Sequence, residues 1–124
     1  MSTETGNPFD RLERLFHEPN RLAIMAAVCD SDKGMTFSDL KEACNLTDGN
    51  LNRHLKVLEE AGAVTVRKAF VKDRPRTTIK LSRKGLQDFS GYLAALSDVL
   101  DTARTALSSE KGEKTVPAGK TVPA

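Results

Sequence analysis

The chain has 124 residues, 39% of them hydrophobic and 5% aromatic, enough for one modest core and one domain with a tail. No run approaches the roughly 18 apolar residues of a membrane span, no apolar stretch follows a basic N-terminus as in a secretory signal, and two cysteines cannot staple a disulfide scaffold. The net charge of +2 is uninformative until it is divided: Met1 to Leu46 carries 5 basic and 8 acidic residues, Thr47 to Gly85 carries 10 and 4, and Leu86 to Ala124 carries 4 and 5.

Residues 1–6 are polar and are expected to be flexible. Asn7-Pro8 reads as an N-cap followed by proline at the first helical position, and Phe9, Leu12, Leu15 and Phe16 then share one helix face. Glu18-Pro19 interrupts that helix, because proline disfavours helical geometry in the residue before it. A second helix is expected from Pro19 to about Cys29, with Leu22, Ala23, Ala26 and Ala27 inward and Cys29 buried among apolar neighbours. Asp30 to Gly34 is a loop. It opens like a calcium loop, but position 6 is Met35 and position 12 is Lys41, where glycine and glutamate are required. Thr36 to Cys44 forms the next helix, capped by Thr36 with Asp39 three residues on, and with Leu40, Ala43 and Cys44 toward the core. Cys44, at a helix end, is a candidate redox thiol only if its pKa is lowered. Asn45-Leu46-Thr47 is formally a glycosylation sequon, but Thr47 is better explained as a helix cap.

The most informative run is Thr47 to Gly62. Leu51, Leu55 and Leu58 recur at i, i+4 and i+7, the buried stripe of a helix. Gly49, Asn50, Asn52, Arg53 and Lys56 fall on the other side. Amide and guanidinium groups pair in bidentate fashion with adenine and guanine edges, and a small residue lets the helix approach DNA closely. Thr47 suits the N-cap and Gly62 the left-handed position beyond the C-terminus. His54 lies near the buried edge and reads as a packed structural histidine, with a ligand or pH-switch role as the alternative. A β-rich stretch follows, Val64 to Val71, with Arg67, Lys68 and Lys72 interleaved. Asp73 to Arg76 signals a turn and Thr77 to Leu81 a second strand. Helix, tight turn, second helix and basic hairpin together give the layout of a winged helix-turn-helix.

Ser82 caps a long last helix predicted to end near Leu107. Leu86, Phe89, Leu93, Leu96, Leu100, Ala103 and Leu107 step by 3 and 4, a heptad seam of about three repeats. Its distal part would stay wet in a monomer and would be buried in a homodimer; the alternative is a helix folded back on its own domain. Ser108 to Ala124 repeats Lys-Thr-Val-Pro-Ala and is expected to be a disordered tail. The organisation is therefore 1–6 flexible, 7–107 folded, 108–124 tail. The fold class is mainly α (α+β): a winged helix-turn-helix with a two-stranded β-hairpin wing and a long C-terminal dimerisation helix.

Asn52 to Val64 (Asn-Arg-His-Leu-Lys-Val-Leu-Glu-Glu-Ala-Gly-Ala-Val) resembles the recognition-helix signature of ArsR- and MarR-type winged-helix regulators. Arg74-Pro75-Arg76-Thr77 with Leu81-Ser82-Arg83-Lys84-Gly85 is more similar to the MarR side, and in particular to small stand-alone winged-helix DNA-binding proteins. The resemblance covers roughly Phe9 to Leu100. It implies a homodimeric transcription regulator on an inverted-repeat operator in double-stranded DNA; the two widely placed cysteines and the lack of a visible secretory signal lead us to expect a cytoplasmic protein with reduced thiols. It puts Thr47, Gly49, Asn50, Asn52, Arg53 and Lys56 against the major groove, and Lys72, Arg74 and Arg76 in a wing on phosphates or the minor groove. Thr36, Ser38 and Thr77 complete the candidate DNA-binding set. Candidate dimerisation residues are Phe9, Leu12, Phe16, Leu93, Leu96, Leu100 and Leu107. In related regulators a small-molecule effector can lodge between reading domain and dimer helices; Phe9, Phe16, Phe89 and Tyr92 could line such a pocket, and core packing explains the four equally well. ArsR-type metal ligands are missing: Cys44 is alone and the last helix has no histidine. No cofactor, metal site or catalytic constellation is expected, so an enzyme is not. The rival class is a protein-interaction adaptor on the same scaffold, against which Asn50, Asn52, Arg53 and Arg74 argue.

Overall fold

The computed structural model describes residues 8–111, and the side chains of residues 10–109. The elements are α1 (Pro8–Phe16), α2 (Pro19–Cys29), β1 (Met35–Thr36), α3 (Phe37–Cys44), α4 (Asp48–Glu60), β2 (Val64–Val71), β3 (Arg74–Leu81) and α5 (Arg83–Lys111). The expected winged helix-turn-helix is what forms. The contacts within the chain make two units, one up to Tyr92 and one from Leu93 onward.

In the first unit, Phe16, Ile24, Met25, Leu40, Leu51, Leu58 and Ile79 are fully buried. Each leucine of the α4 stripe contributes roughly 1.5–3 kcal/mol by leaving water. Phe16 packs edge-on against Phe89 with ring centroids 5.1 Å apart, and against Tyr92 at 5.6 Å. Tyr92 reaches a further partner through its hydroxyl, 2.7 Å from His17 Nδ1. Leu12 and Phe16, expected at a dimer interface, are instead buried within their own chain. The side chain of Phe9 lies outside the described residues.

Several expectations are corrected. α2 turns Ile24, Met25 and Val28 inward, whereas Ala23 and Ala26 are exposed and Leu22 and Ala27 half-buried. Two stripes were available on this helix, and the one with larger side chains removes more apolar area from water. Cys29 and Ala43 are exposed for the same reason, lying off the buried stripes. Leu86 is exposed too: the buried positions of α5 in the first unit are Gly85, Phe89 and Tyr92, of which only Phe89 belongs to the heptad seam.

The hairpin is joined by a third strand, in the order β1-β3-β2, with Met35 opposite Ile79 and Thr36 opposite Thr78. Gly34 makes this possible. It has φ of +88°, and a Cβ there would lie 2.6 Å from the Ile79 carbonyl oxygen. The hairpin turn is Lys72-Asp73, with φ of 55° and 65°, and Val71 pairs with Arg74. Positive φ at both central residues makes it a type I′ turn, whose twist matches the strands. The expected turn at Asp73 to Arg76 is thus displaced, and Arg74, Pro75 and Arg76 are strand residues. Pro75 is tolerated because Val71 and Arg74 form the narrow pair of the ladder. The pair Phe70 and Pro75 then points its backbone groups away from its partner, where β1 does not reach.

α5 runs to Lys111, past its expected end at Leu107. The rest of the expected tail and the expected flexible N-terminus lie outside the described residues. In the second unit Leu93, Val99, Leu100 and Leu107 are exposed and Leu96 is half-buried.

Candidate nucleic-acid interface

The helix-turn-helix is built by local capping. α3 ends with Asn45 in the left-handed region at φ 55°; its N–H donates to the Glu42 carbonyl and the Leu46 N–H donates to the Lys41 carbonyl. This is a Schellman ending with asparagine in the place glycine commonly takes. One residue later Thr47 caps α4, its Oγ1 accepting from the Asn50 N–H at 3.2 Å. At the other end Gly62, at φ +80°, repeats the ending, with Gly62 N–H to Glu59 and Ala63 N–H to Leu58. Lys41 Nζ lies 2.8 Å from the Asp48 carboxylate, tying α3 to the first turn of α4. That contact also offsets a negative charge that would oppose phosphate.

Between these caps α4 has two faces. Leu51, His54, Leu55 and Leu58 are buried, and Gly49, Asn50, Asn52, Arg53 and Lys56 are exposed. Arg53 Nη2 donates to Asn50 Oδ1 at 3.0 Å, so two of the candidate DNA-binding residues on one edge of the helix are already paired. Val57, exposed and four residues beyond Arg53, extends that edge with an apolar group suited to a thymine methyl. It was hidden in the sequence because a valine at that spacing reads as core.

His54 is the buried polar residue of the face toward the core. Its Nδ1 is 3.3 Å from Arg21 Nη1 and 3.8 Å from the Glu18 carboxylate. Arg21 in turn donates through Nε to the Leu15 carbonyl at 2.7 Å. Arg21 thereby clamps α4 to the corner between α1 and α2. Burial pushes the His54 pKa below its ordinary value; Glu18 opposes this, and Arg21 and Arg53 add to it. Neutral His54 is a structural anchor, as expected from the sequence.

The register of the wing sorts its side chains. Cross-strand partners share a face and successive residues alternate. Arg67, Arg74, Arg76 and Lys80 fall on one face, and Lys68, Phe70, Pro75 and Thr77 on the other. The cations on both faces are exposed. Arg67, Lys68 and Lys80 therefore join Lys72, Arg74 and Arg76 as wing cations, a grouping visible only once the turn is placed at Lys72-Asp73. Thr36 and Ser38, at the start of α3, line an open groove of about 450 Å³ with Pro75, Arg76 and Thr77. The groove thus joins the start of the helix-turn-helix to the wing.

Partial desolvation of the sulfur pushes the thiols of Cys29, an exposed residue, and of half-buried Cys44 up, the opposite of the activation a redox sensor needs. Among the described residues no cluster of histidine, cysteine and carboxylate side chains could hold a metal ion. No described helix is long and apolar enough to cross a membrane.

A family model described as winged helix DNA-binding domain matches residues 20–100. An uncharacterized protein of Methanocaldococcus jannaschii is 41% identical over 80 residues, which are 64% of this chain and 86% of that protein. The structure of a transcriptional regulator homologue from Pyrococcus horikoshii OT3 is similar with a TM-score of 0.69 and 30% identity, over 76% of this chain and 94% of that one. The S. aureus MepR–DNA complex gives 0.63 at 16% identity, over 82% and 83%, a likeness of fold.

Proposed function

The chain belongs to the winged-helix DNA-binding domain family and is a DNA-binding transcriptional regulator; from that premise we propose that it acts as a homodimer on an inverted-repeat operator. The observation that carries this reading is the exposed amide and guanidinium front of α4, capped at both ends and clamped by Arg21. In the proposed complex α4 enters the major groove. Asn50, Asn52 and Arg53 read base edges, and Lys56 and Thr47 meet the backbone. The wing cations Lys72, Arg74 and Arg76 follow the flanking phosphates or the minor groove, and Thr36 and Ser38 contact phosphate beside them. The exposed leucines of the second unit, Leu93, Leu100 and Leu107, with half-buried Leu96, pair the subunits. Two reading helices then meet successive grooves about 34 Å apart.

The test is selection of genomic fragments by the full chain, followed by gel shift at increasing salt. A retained inverted repeat whose affinity falls steeply with salt supports the reading, since cationic contacts release condensed counterions. Failure to retain any fragment at low salt would instead favour an adaptor that binds protein.

A further inference from the structure

Phe70 is a large apolar side chain placed where it buries almost nothing. It is 76% exposed, more than the other large hydrophobic side chains at the surface among the described residues. It stands roughly 20 Å along β2 from the buried Val64, two residues before the turn. Its cross-strand partner is Pro75, so two apolar side chains lie together on one face of the wing tip. Lys68 is on the same face one step inward, Lys72 is in the turn, and Arg74, next to Pro75 in the chain, is on the opposite face.

An apolar pair at a tip with one cation on its face, one in the turn and one behind it is a poor fit for an apolar protein surface, which would strip water from the charges without replacing it. It fits a polyanion with an apolar interior. Duplex DNA has phosphates outside and stacked bases within, and minor-groove proteins insert phenylalanine and proline side chains between base steps.

We propose that Phe70, backed by Pro75, is a wedge that the wing inserts at a base step of the minor groove, while Lys68, Lys72 and Arg74 hold the flanking phosphates. This rests on the regulator reading above and adds a specificity determinant to it. Pyrimidine–purine steps unstack most easily, so the wing selects them without hydrogen bonds to their bases.

The experiment uses the full chain and an A·T-rich duplex carrying 2-aminopurine at a central TpA step, with a G·C-only duplex alongside. Wild type is expected to raise the 2-aminopurine fluorescence on binding. Phe70→Ala is expected to bind that duplex about tenfold more weakly, without the fluorescence rise, and with an unchanged salt slope because no charge is removed. Phe70→Trp should keep both signals. Equal affinity and fluorescence for Phe70→Ala and wild type would overturn the wedge while leaving DNA binding intact. Wild type binding neither duplex at low salt would overturn the regulator reading, and the wedge with it. A change in sedimentation of DNA-free Phe70→Ala would assign Phe70 to a contact between copies instead, and overturn the wedge.

Discussion

Arg53 donates from Nη2 to the side-chain oxygen of Asn50 at 3.0 Å, one turn away on the exposed face of α4. The bond holds the guanidinium over the helix edge before DNA arrives, which lowers the entropy cost of using it. Arg53→Ala should cost about 1–3 kcal/mol on a cognate site and relax base preference there. Asn50→Ala should cost less when Arg53 is already alanine than when it is present. A double-mutant cycle measured by DNA titration checks this, and strictly additive losses would show that the pair does not act together.

Gly49 has open space where a Cβ would stand, with nothing within 4 Å beyond its chain neighbours and the backbone of its own helix. The fold does not need glycine there, and alanine is the better helix former by up to about 1 kcal/mol. Gly49→Ala should therefore leave the melting temperature equal or higher while weakening operator binding, because the added methyl meets DNA. Equal affinity would remove Gly49 from the reading face.

These two cases show what the sequence makes legible. Leucine spacing, the Thr47 cap and Gly62 fix α4 and its two faces from residues within one helix. Features that depend on distant partners were not legible. β1 is two residues long and exists only because Gly34 lets the chain approach Ile79. The type I′ turn uses Lys72-Asp73, without the asparagine or glycine that would have marked it. α2 offered two stripes, and only packing chose between them.

Gly85 is the opposite of Gly49. A Cβ there would stand 1.9 Å from the Ala63 carbonyl oxygen and 2.7 Å from its carbon, and both are backbone atoms that cannot rotate away. The first turn of α5 crosses directly over the end of the α4–β2 connection. Ser82 reinforces the crossing by donating to the Gly62 carbonyl at 2.5 Å and accepting from the Gly85 N–H at 2.7 Å. Gly85→Ala should destabilise by about 2–4 kcal/mol, as overpacking against fixed backbone does. Urea denaturation reads this directly. A variant as stable as wild type would mean that α5 can lift off Ala63 at no cost.

His54 links stability to pH. Its folded pKa lies below the ordinary value, chiefly through burial. The unfolded chain therefore binds a proton that the folded one resists, and this contribution to stability is present above the unfolded pKa of about 6.5. It is lost as pH falls through that value toward the lower folded one. The melting temperature should drop between pH 7 and 5.5, and His54→Gln should flatten the drop even if it lowers stability overall. An unchanged slope in His54→Gln would place the titration on another group.

The second unit exposes Leu93, Val99, Leu100 and Leu107 on one amphipathic stretch of α5, where Arg104 and Asp101 pair at 2.9 Å on its polar side. Large apolar side chains at heptad spacing are stabilised when a second helix covers them. Leu100→Glu with Leu107→Glu puts like charges at the centre of any such pairing without touching the core of the first unit. Sedimentation should move from dimer to monomer, and operator affinity should fall by well over about tenfold, because each half-site is then bound singly and the effective-concentration gain is lost. Circular dichroism of the first unit's contribution should be retained. A wild type that already sediments as a monomer at micromolar concentration would refute the pairing outright, and the seam would then belong to a helix that folds back on its own chain.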